Sequence, residues 1–228
     1  MQRVIIATTT FYKSTDELRF KLACELITKA VAVKYPIIIV DGSPDSSVRK
    51  EFNKRGALVF PQIAQGMAGS RRELFDCVRV VYCKNFYRGK VDFVIIGRIE
   101  KSMKSHPEFQ VKSETLANTV YRNFFSVPNA APMVGPVAFS SSVILYFSTC
   151  NRTKYGLRTG YIQHIAPLEA TAHEHKVVCI PVDFMYPKEQ KEEEEKDISV
   201  VAKRLQQAQE LIEAYLTIRY LRPGLIQS

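Results

Sequence analysis

Residues 35–47 read YPIIIVDGSPDSS, from Tyr35 to Ser47. Pro36 restarts the chain after a helical stretch, and four β-branched residues, Ile37 to Val40, then form a strand. The strand stops on Asp41, and Gly42 lets the backbone turn tightly before Ser46 and Ser47 cap a helix. The same alternation extends to either side. Val4 to Thr10 (VIIATTT) reads as a strand, and Ser14 or Thr15 caps the helix DELRFKLACELITKAVAV. Asp16 and Glu17 fall in its first turn, where carboxylates suit the positive helix end. Leu18, Leu22, Leu26 and Ala30 recur every fourth residue and define its apolar face. Downstream, the helix VRKEFNKRG ends at Gly56, and ALVF is a third strand. After QIAQGMAGS the helix SRRELFDCVRVVYCK carries Leu74, Val78 and Val81 on one face, and VDFVII (Val91 to Ile96) is a fourth strand.

Strands separated by helices of this length imply right-handed βαβ crossovers. The fold class is therefore α/β, a mostly parallel central sheet flanked by helices. In such sheets ligands bind beyond the carboxyl ends of the strands, where helix N-termini also point. Asp41 sits at one such end. The second half is less regular. Glu114 to Phe125 reads as a helix, VAFSSSVILYF as a strand, Pro167 to His173 as a short helix, and KVVCIPVDF as a strand. The charge run Lys188 to Asp197 starts a long C-terminal helix ending near Arg219. Leu205, Ala208, Leu211, Ile212 and Tyr215 are its apolar stripe, and Glu192 to Glu195 read as its solvated start.

The 228 residues are 46% hydrophobic and 24% charged, enough for a substantial core and outside the disordered range. No apolar run approaches the roughly 20 residues of a membrane span. The N-terminus MQRVIIATTT is too short in its apolar part for a signal peptide. Five scattered cysteines (Cys24, Cys77, Cys83, Cys150, Cys179) without a paired spacing point to a reducing compartment, so the expected location is cytoplasmic. The sequon Asn151-Arg152-Thr153 carries little weight without a secretory route. Net charge is +9, which favours anionic partners: nucleic acid, acidic lipid or phosphorylated small molecules. No nucleic-acid motif is present, so no specific nucleic acid is expected, while peripheral membrane contact through basic residues stays open.

Three features could carry chemistry. Asp41 can accept bonds from a nucleobase imide or a ribose hydroxyl, or it can cap a turn through its own backbone. Gly66-Met67-Ala68-Gly69-Ser70-Arg71-Arg72 puts two arginines in the first turn of a helix, where they oppose the local dipole; a diphosphate would reverse that sign. Neither GxxxxGK[ST] nor GxGxxG is present, which disfavours a P-loop and a nicotinamide cofactor. Gly97-Arg98-Ile99-Glu100-Lys101 closes the fourth strand. Glu100 there can hold a divalent cation bridging two phosphates, and Lys101 can meet phosphate or pair with the acid. His173, Glu169 and the strand-end Asp183 are polar groups of the variable half without a zinc-protease HExxH pattern.

In order, these pieces resemble a GT-A type glycosyltransferase, the nucleotide-diphospho-sugar transferase fold. The likeness spans roughly residues 3–105 and rests on ATTTFY, IIIVDGSPD, the GMAGSRR stretch, and a strand closing on an acid. The VDGSP segment, the GMxxSRR stretch and the Glu100-Lys101 pair resemble a subgroup of that fold. The resemblance implies one GT-A-like domain over 1–228: a nucleotide-binding half (1–105), an acceptor-side half (106–190) and a C-terminal helix (191–221). It implies a UDP- or GDP-linked sugar as donor. Thr8 and Thr9 would line the base pocket, Asp41 would bind base or ribose, and Gly66, Arg71 and Arg72 would lie by the diphosphate. The family's Asp-x-Asp, which holds Mn²⁺ or Mg²⁺, is reduced here to Glu100 with Arg98 beside it. Either Glu100 alone anchors the ion, or Arg98 and Lys101 neutralise the diphosphate, or activity is lost. Asp183, Glu169 and His173 are the candidates for the base that deprotonates an acceptor. Two functions follow: sugar transfer to an unidentified acceptor, or a catalytically silent nucleotide-sugar-binding scaffold. Nucleotidyl transfer would put a glycine-rich signature directly after the first strand, where ATTTFYKST has no glycine.

Overall fold

The computed structural model describes residues 5–82, 91–125, 127, 130–149, 153–157 and 161–221. Val4, Cys83, Cys150, Asn151, Arg152 and the side chain of Val81 lie outside the described residues. The chain divides into two compact units, Met1–Tyr87 and Arg88–Ser228.

The first unit alternates β1 (Ile6–Thr10), α1 (Leu18–Ala32), β2 (Ile37–Asp41), α2 (Ser46–Lys54), β3 (Leu58–Pro61) and α3 (Gly66–Tyr82). Its sheet has the order β1-β2-β3 and both pairings are parallel, as the βαβ alternation predicted. Every residue of the central strand β2 is buried, which explains an apolar run without alternation. Phe20, Cys24, Ile27 and Ala30 of α1 pack with Val48 and Phe52 of α2 against Ile37 and Ile39. The expected Leu18–Leu22–Leu26–Ala30 face is corrected here: Leu26 is 57% exposed. A strict four-residue step drifts about 40° per step around the helix, whereas steps of four, three and three keep Phe20 through Ala30 on the sheet.

Helix starts also differ from expectation. α1 begins at Leu18, with Glu17 as N-cap and its carboxylate taking the amides of Lys13 and Ser14. The cap of α2 is Asp45, which accepts Ser47 N at 2.8 Å and Ser47 Oγ at 2.6 Å. α3 begins at Gly66, four residues before the expected start. The stretch read as a loop is helical because Gly69 packs directly on the preceding turn. A Cβ there would meet Ala64 Cβ at 2.7 Å and its carbonyl carbon at 3.0 Å. Glu73, one turn further on, fastens the same turn by accepting Ala64 N at 2.6 Å and Ile63 N at 3.1 Å.

The second unit contains β4 (Phe93–Arg98), α4 (Glu100–Met103), α5 (Glu108–Phe125), β5 (Val137–Phe139), α6 (Leu145–Ser148), α7 (Ala166–Ala172), β6 (Val177–Val182), α8 (Lys188–Lys196) and α9 (Ile198–Leu221). Its sheet has the order β5-β4-β6, with β4 antiparallel to β5 and parallel to β6. The strand expected through residues 137–147 stops at Phe139. Ser140 and Ser142 give their hydroxyls to Asp92, the chain turns, and Phe147 of the following helix stacks on Phe93 at 5.7 Å. The long C-terminal helix is broken at Asp197, which is extended (ψ 100) and caps α9 by accepting Ser199 N at 2.9 Å. α9 packs on α5, with Tyr215 against the rings of Tyr121 and Phe125. Ala208, Leu211, Tyr215 and Ile218 are buried, while Leu205 is exposed rather than part of the stripe. Glu194 is buried, unlike the other three glutamates of its run. No helix among the described residues is long and apolar enough to cross a membrane.

Candidate functional site

Each unit presents a carboxyl edge of parallel strands. In the first, β1, β2 and β3 end together at Thr10, Asp41 and Pro61. Asp41 has a side chain with no exposed surface. Its Oδ1 accepts Thr10 Oγ1 at 2.7 Å and Ser43 Oγ at 2.6 Å, and its Oδ2 is 3.1 Å from Arg49 Nη1. Arg49 also donates to the Ser43 carbonyl at 2.8 Å, and Ser43 Oγ accepts Tyr12 N at 2.9 Å. The carboxylate thus binds the ends of two strands to the second turn of α2. Contact between Asp41 and a ligand requires one of these partners to move.

Thr8 and Thr9 lie within β1, opposite Ile39 and Val40, and it is Thr10 that reaches Asp41. Gln62 lies over Gly42 close enough that a Cβ would collide with its amide oxygen, and Phe11, 64% exposed, is the next neighbour of that position. Gly66 takes φ +74 at the start of α3, so a left-handed residue opens the helix. Arg71 and Arg72 stand in the second turn of α3, Arg71 partly buried and Arg72 exposed.

In the second unit, register pairs Arg98 with Val182, and Ile99 N donates to the Val182 carbonyl at 3.1 Å. The residues that follow both strands therefore meet. Ser102 Oγ donates to Asp183 Oδ1 at 2.8 Å, which puts Asp183 beside the turn carrying exposed Glu100 and Lys101. Arg98 is a buried side chain. Its guanidinium is ion-paired with buried Glu114, which also accepts Gln110 Nε2 at 2.7 Å, and it lies 5.5 Å from the Phe184 ring. Burial works against both charges, pushing the Glu114 carboxyl up and the Arg98 guanidinium down, and their mutual attraction only partly offsets it.

The three candidate bases do not converge. Asp183 follows β6, whereas His173 precedes it, about 20 Å away along the six-residue strand. His173 stacks on Tyr146 at 5.2 Å, and Glu169 accepts the Tyr155 hydroxyl. Nor do the donor groups form a cation cage: among the described residues no three His, Cys, Asp or Glu side chains gather to hold a metal ion. Glu100 offers a single carboxylate. Sequence reasoning missed Arg49, Thr10, Ser43 and Ser102. The Asp-Gly-Ser spacing was a usable signal for Ser43, since a hydroxyl two residues on can reach back to the acid.

No protein-family model matches the chain, and no curated protein does. Among solved structures it is similar to a crystal structure of glucosyl-3-phosphoglycerate synthase from Mycobacterium tuberculosis, with TM-score 0.47 and 12% identity over 98% of this chain and 82% of that one. The complex of that enzyme with phosphoglyceric acid gives TM-score 0.46 and 11% identity over 90% and 80% of the two chains. The complex with uridine diphosphate gives 0.41 and 13% over 89% and 80%.

Proposed function

We propose that this chain is a glycosyltransferase of the GT-A type, moving a sugar from a UDP- or GDP-linked donor to an acceptor hydroxyl. The observation that carries the reading lies within the second unit, where an acid follows the carboxyl end of each of two neighbouring parallel strands: Glu100 after β4 and Asp183 after β6, held beside one another through Ser102. In the first unit Asp41 ends β2. Parallel strands direct ligands to that end. Breaking the glycosidic bond leaves charge on the departing nucleoside diphosphate, and fixed positive groups lower the barrier. Lys101 in the second unit and Arg72 in the first are exposed cations, each a candidate for this role, and Arg98 is already engaged by Glu114. A divalent cation, Mn²⁺ or Mg²⁺, would have Glu100 as its ligand from this chain. In an inverting reaction Asp183 is the base of choice. Ser102 fixes its Oδ1 and leaves Oδ2 to take the acceptor proton.

The test is thermal unfolding with UDP, GDP and their sugars, with and without Mn²⁺. A ligand at 100 times its dissociation constant stabilises by about 2.7 kcal/mol. Stabilisation by one nucleoside diphosphate, reduced in Arg72→Ala or in Lys101→Ala, is expected. Donor hydrolysis should disappear in Glu100→Ala. The single carboxylate Glu100 in place of Asp-x-Asp favours a second reading, a nucleotide-sugar-binding scaffold without turnover. Stabilisation without hydrolysis would select it, and no shift with any nucleotide would dismiss both.

A further inference from the structure

The segment Asp183–Tyr186, just past β6, is fastened to the turn that follows β4. Ser102 Oγ donates to Asp183 Oδ1 and accepts Phe184 N, both at 2.8 Å. Ser105 Oγ accepts Tyr186 N at 2.9 Å. The imidazole of His106 packs against both aromatic rings of the segment, 6.0 Å from Phe184 and 4.7 Å from Tyr186 between centroids.

His106 is 2% exposed, and its hydrogen bonding fixes the tautomer. Nδ1 is 2.9 Å from the Ser102 carbonyl, which can only accept, so Nδ1 carries the proton. Ser105 Oγ, 3.3 Å from the same nitrogen, spends its own hydrogen on that carbonyl at 2.7 Å. Nε2 is then a bare lone pair, buried and without a hydrogen-bond partner among the described residues. The charges acting on the ring are Arg98 of β4, Arg204 of α9 and Lys191 of α8, all positive. Among the anions of this unit, Glu114 holds Arg98 and Gln110, Asp183 takes Ser102, and Glu194 takes the Gln190 amide through Oε1, while its buried Oε2 makes no hydrogen bond among the described residues. None of these carboxylates is bonded to the ring. The Tyr186 hydroxyl accepts the other bond from Gln190. A proton on Nε2 would therefore add positive charge among three cations, on a buried nitrogen that has no hydrogen-bond partner among the described residues.

We propose that His106 is a proton-operated latch: neutral, it holds the 183–186 strap against residues 102–106, and protonated, it lets the strap go. Burial and then the nearby cations hold the imidazole below its ordinary 6.5, although the Ser102 carbonyl works in the opposite direction. A depressed folded value means that the latched state prefers the neutral ring. Latching is complete above 6.5 and is lost as the pH falls through the folded value. The strap carries Asp183, so the consequence for sugar transfer rests on the transferase reading, while the latch itself does not.

Hydrogen exchange reads the strap directly. The amides of Phe184 and Tyr186, corrected for intrinsic exchange, should lose about tenfold protection between pH 7.5 and 5.5 as one proton is taken up. The Ile180 amide in β6 should not change. His106→Phe, which keeps a ring against Tyr186, should flatten the pH dependence. Lys191→Gln removes one repelling charge, so the midpoint of the His106 imidazole resonance should move up. The proposal is overturned if strap protection is independent of pH, if it responds equally in a folded His106→Phe, or if the His106 midpoint stands still in Lys191→Gln. None of these readouts involves nucleotide or sugar, so the latch and the transferase reading fail separately.

Discussion

Asp41 shows what one residue's sequence context discloses and what it hides. A buried strand ending on an acid was legible, because β-branched residues and the Asp-Gly turn are local signals. Its partners were not, since Thr10 lies 31 residues back and Arg49 eight residues ahead, joined only once the helices pack. The pair is unequal: the Asp41 side chain is fully buried, whereas Arg49 is 27% exposed. Removing Arg49 leaves a carboxylate with two hydroxyl donors and no counter-charge. Breaking a buried pair costs about 3–5 kcal/mol, and the partial exposure of Arg49 reduces that. Arg49→Met should lower unfolding free energy by about 2–3 kcal/mol in urea titration. Arg49→Lys should recover part of it, because an ammonium restores the counter-charge but is shorter and lacks the planar guanidinium that sets Nη1 against both Asp41 Oδ2 and the Ser43 carbonyl.

At the scale of elements, three helices end in the same hydrogen-bond pattern, and only one ends on the residue that suits it. Gly56 (φ +93) follows α2, with Gly56 N to Asn53 O at 3.0 Å and Ala57 N to Phe52 O at 3.2 Å. Lys34 (φ +63) closes α1 with bonds to Val31 and, through Tyr35, to Ala30. Glu174 (φ +62) closes α7 with bonds to Thr171 and, through His175, to Ala170. The glycine signal made the first end legible. The other two lack it, which is why the sequence offered no stop after Ala32 beyond Pro36. A side chain in the left-handed region costs about 1–2 kcal/mol, and glycine returns somewhat less through the entropy of the unfolded chain. Lys34→Gly and Glu174→Gly should each raise unfolding free energy by about 0.5–1 kcal/mol. Gly56→Ala should lower it by about 1–2 kcal/mol, since its Cβ would also press on Val31 at 3.3 Å. Chemical denaturation of the three variants checks the set, and a loss of stability in both glycine variants would contradict it.

For the whole molecule, the α/β alternation was legible from periodicity and turn residues, and the rim acids from their positions after strands. Less legible was which charges remain available. Arg98 and Lys101 are three residues apart, yet Arg98 is consumed by Glu114, 16 residues away, and Lys101 is exposed. A net charge of +9 therefore overstates the cations on any rim, and the number that matter for a ligand is a question for salt dependence. Raising ionic strength from 0.1 to 1 M shortens the screening length from about 10 Å to about 3 Å. Attraction between exposed Lys101 or Arg72 and a diphosphate is lost over that range, whereas hydrogen bonds to a base or ribose are little affected. On the transferase reading proposed above, binding of a nucleoside diphosphate should weaken by about tenfold, and binding of the nucleoside alone should hardly change. Lys101→Ala should flatten the diphosphate's salt slope as well as its affinity. Equal slopes for nucleoside and diphosphate, measured by calorimetry at both salt concentrations, would mean that the phosphates are not held by these cations. The +9 would then serve solubility or another anionic partner.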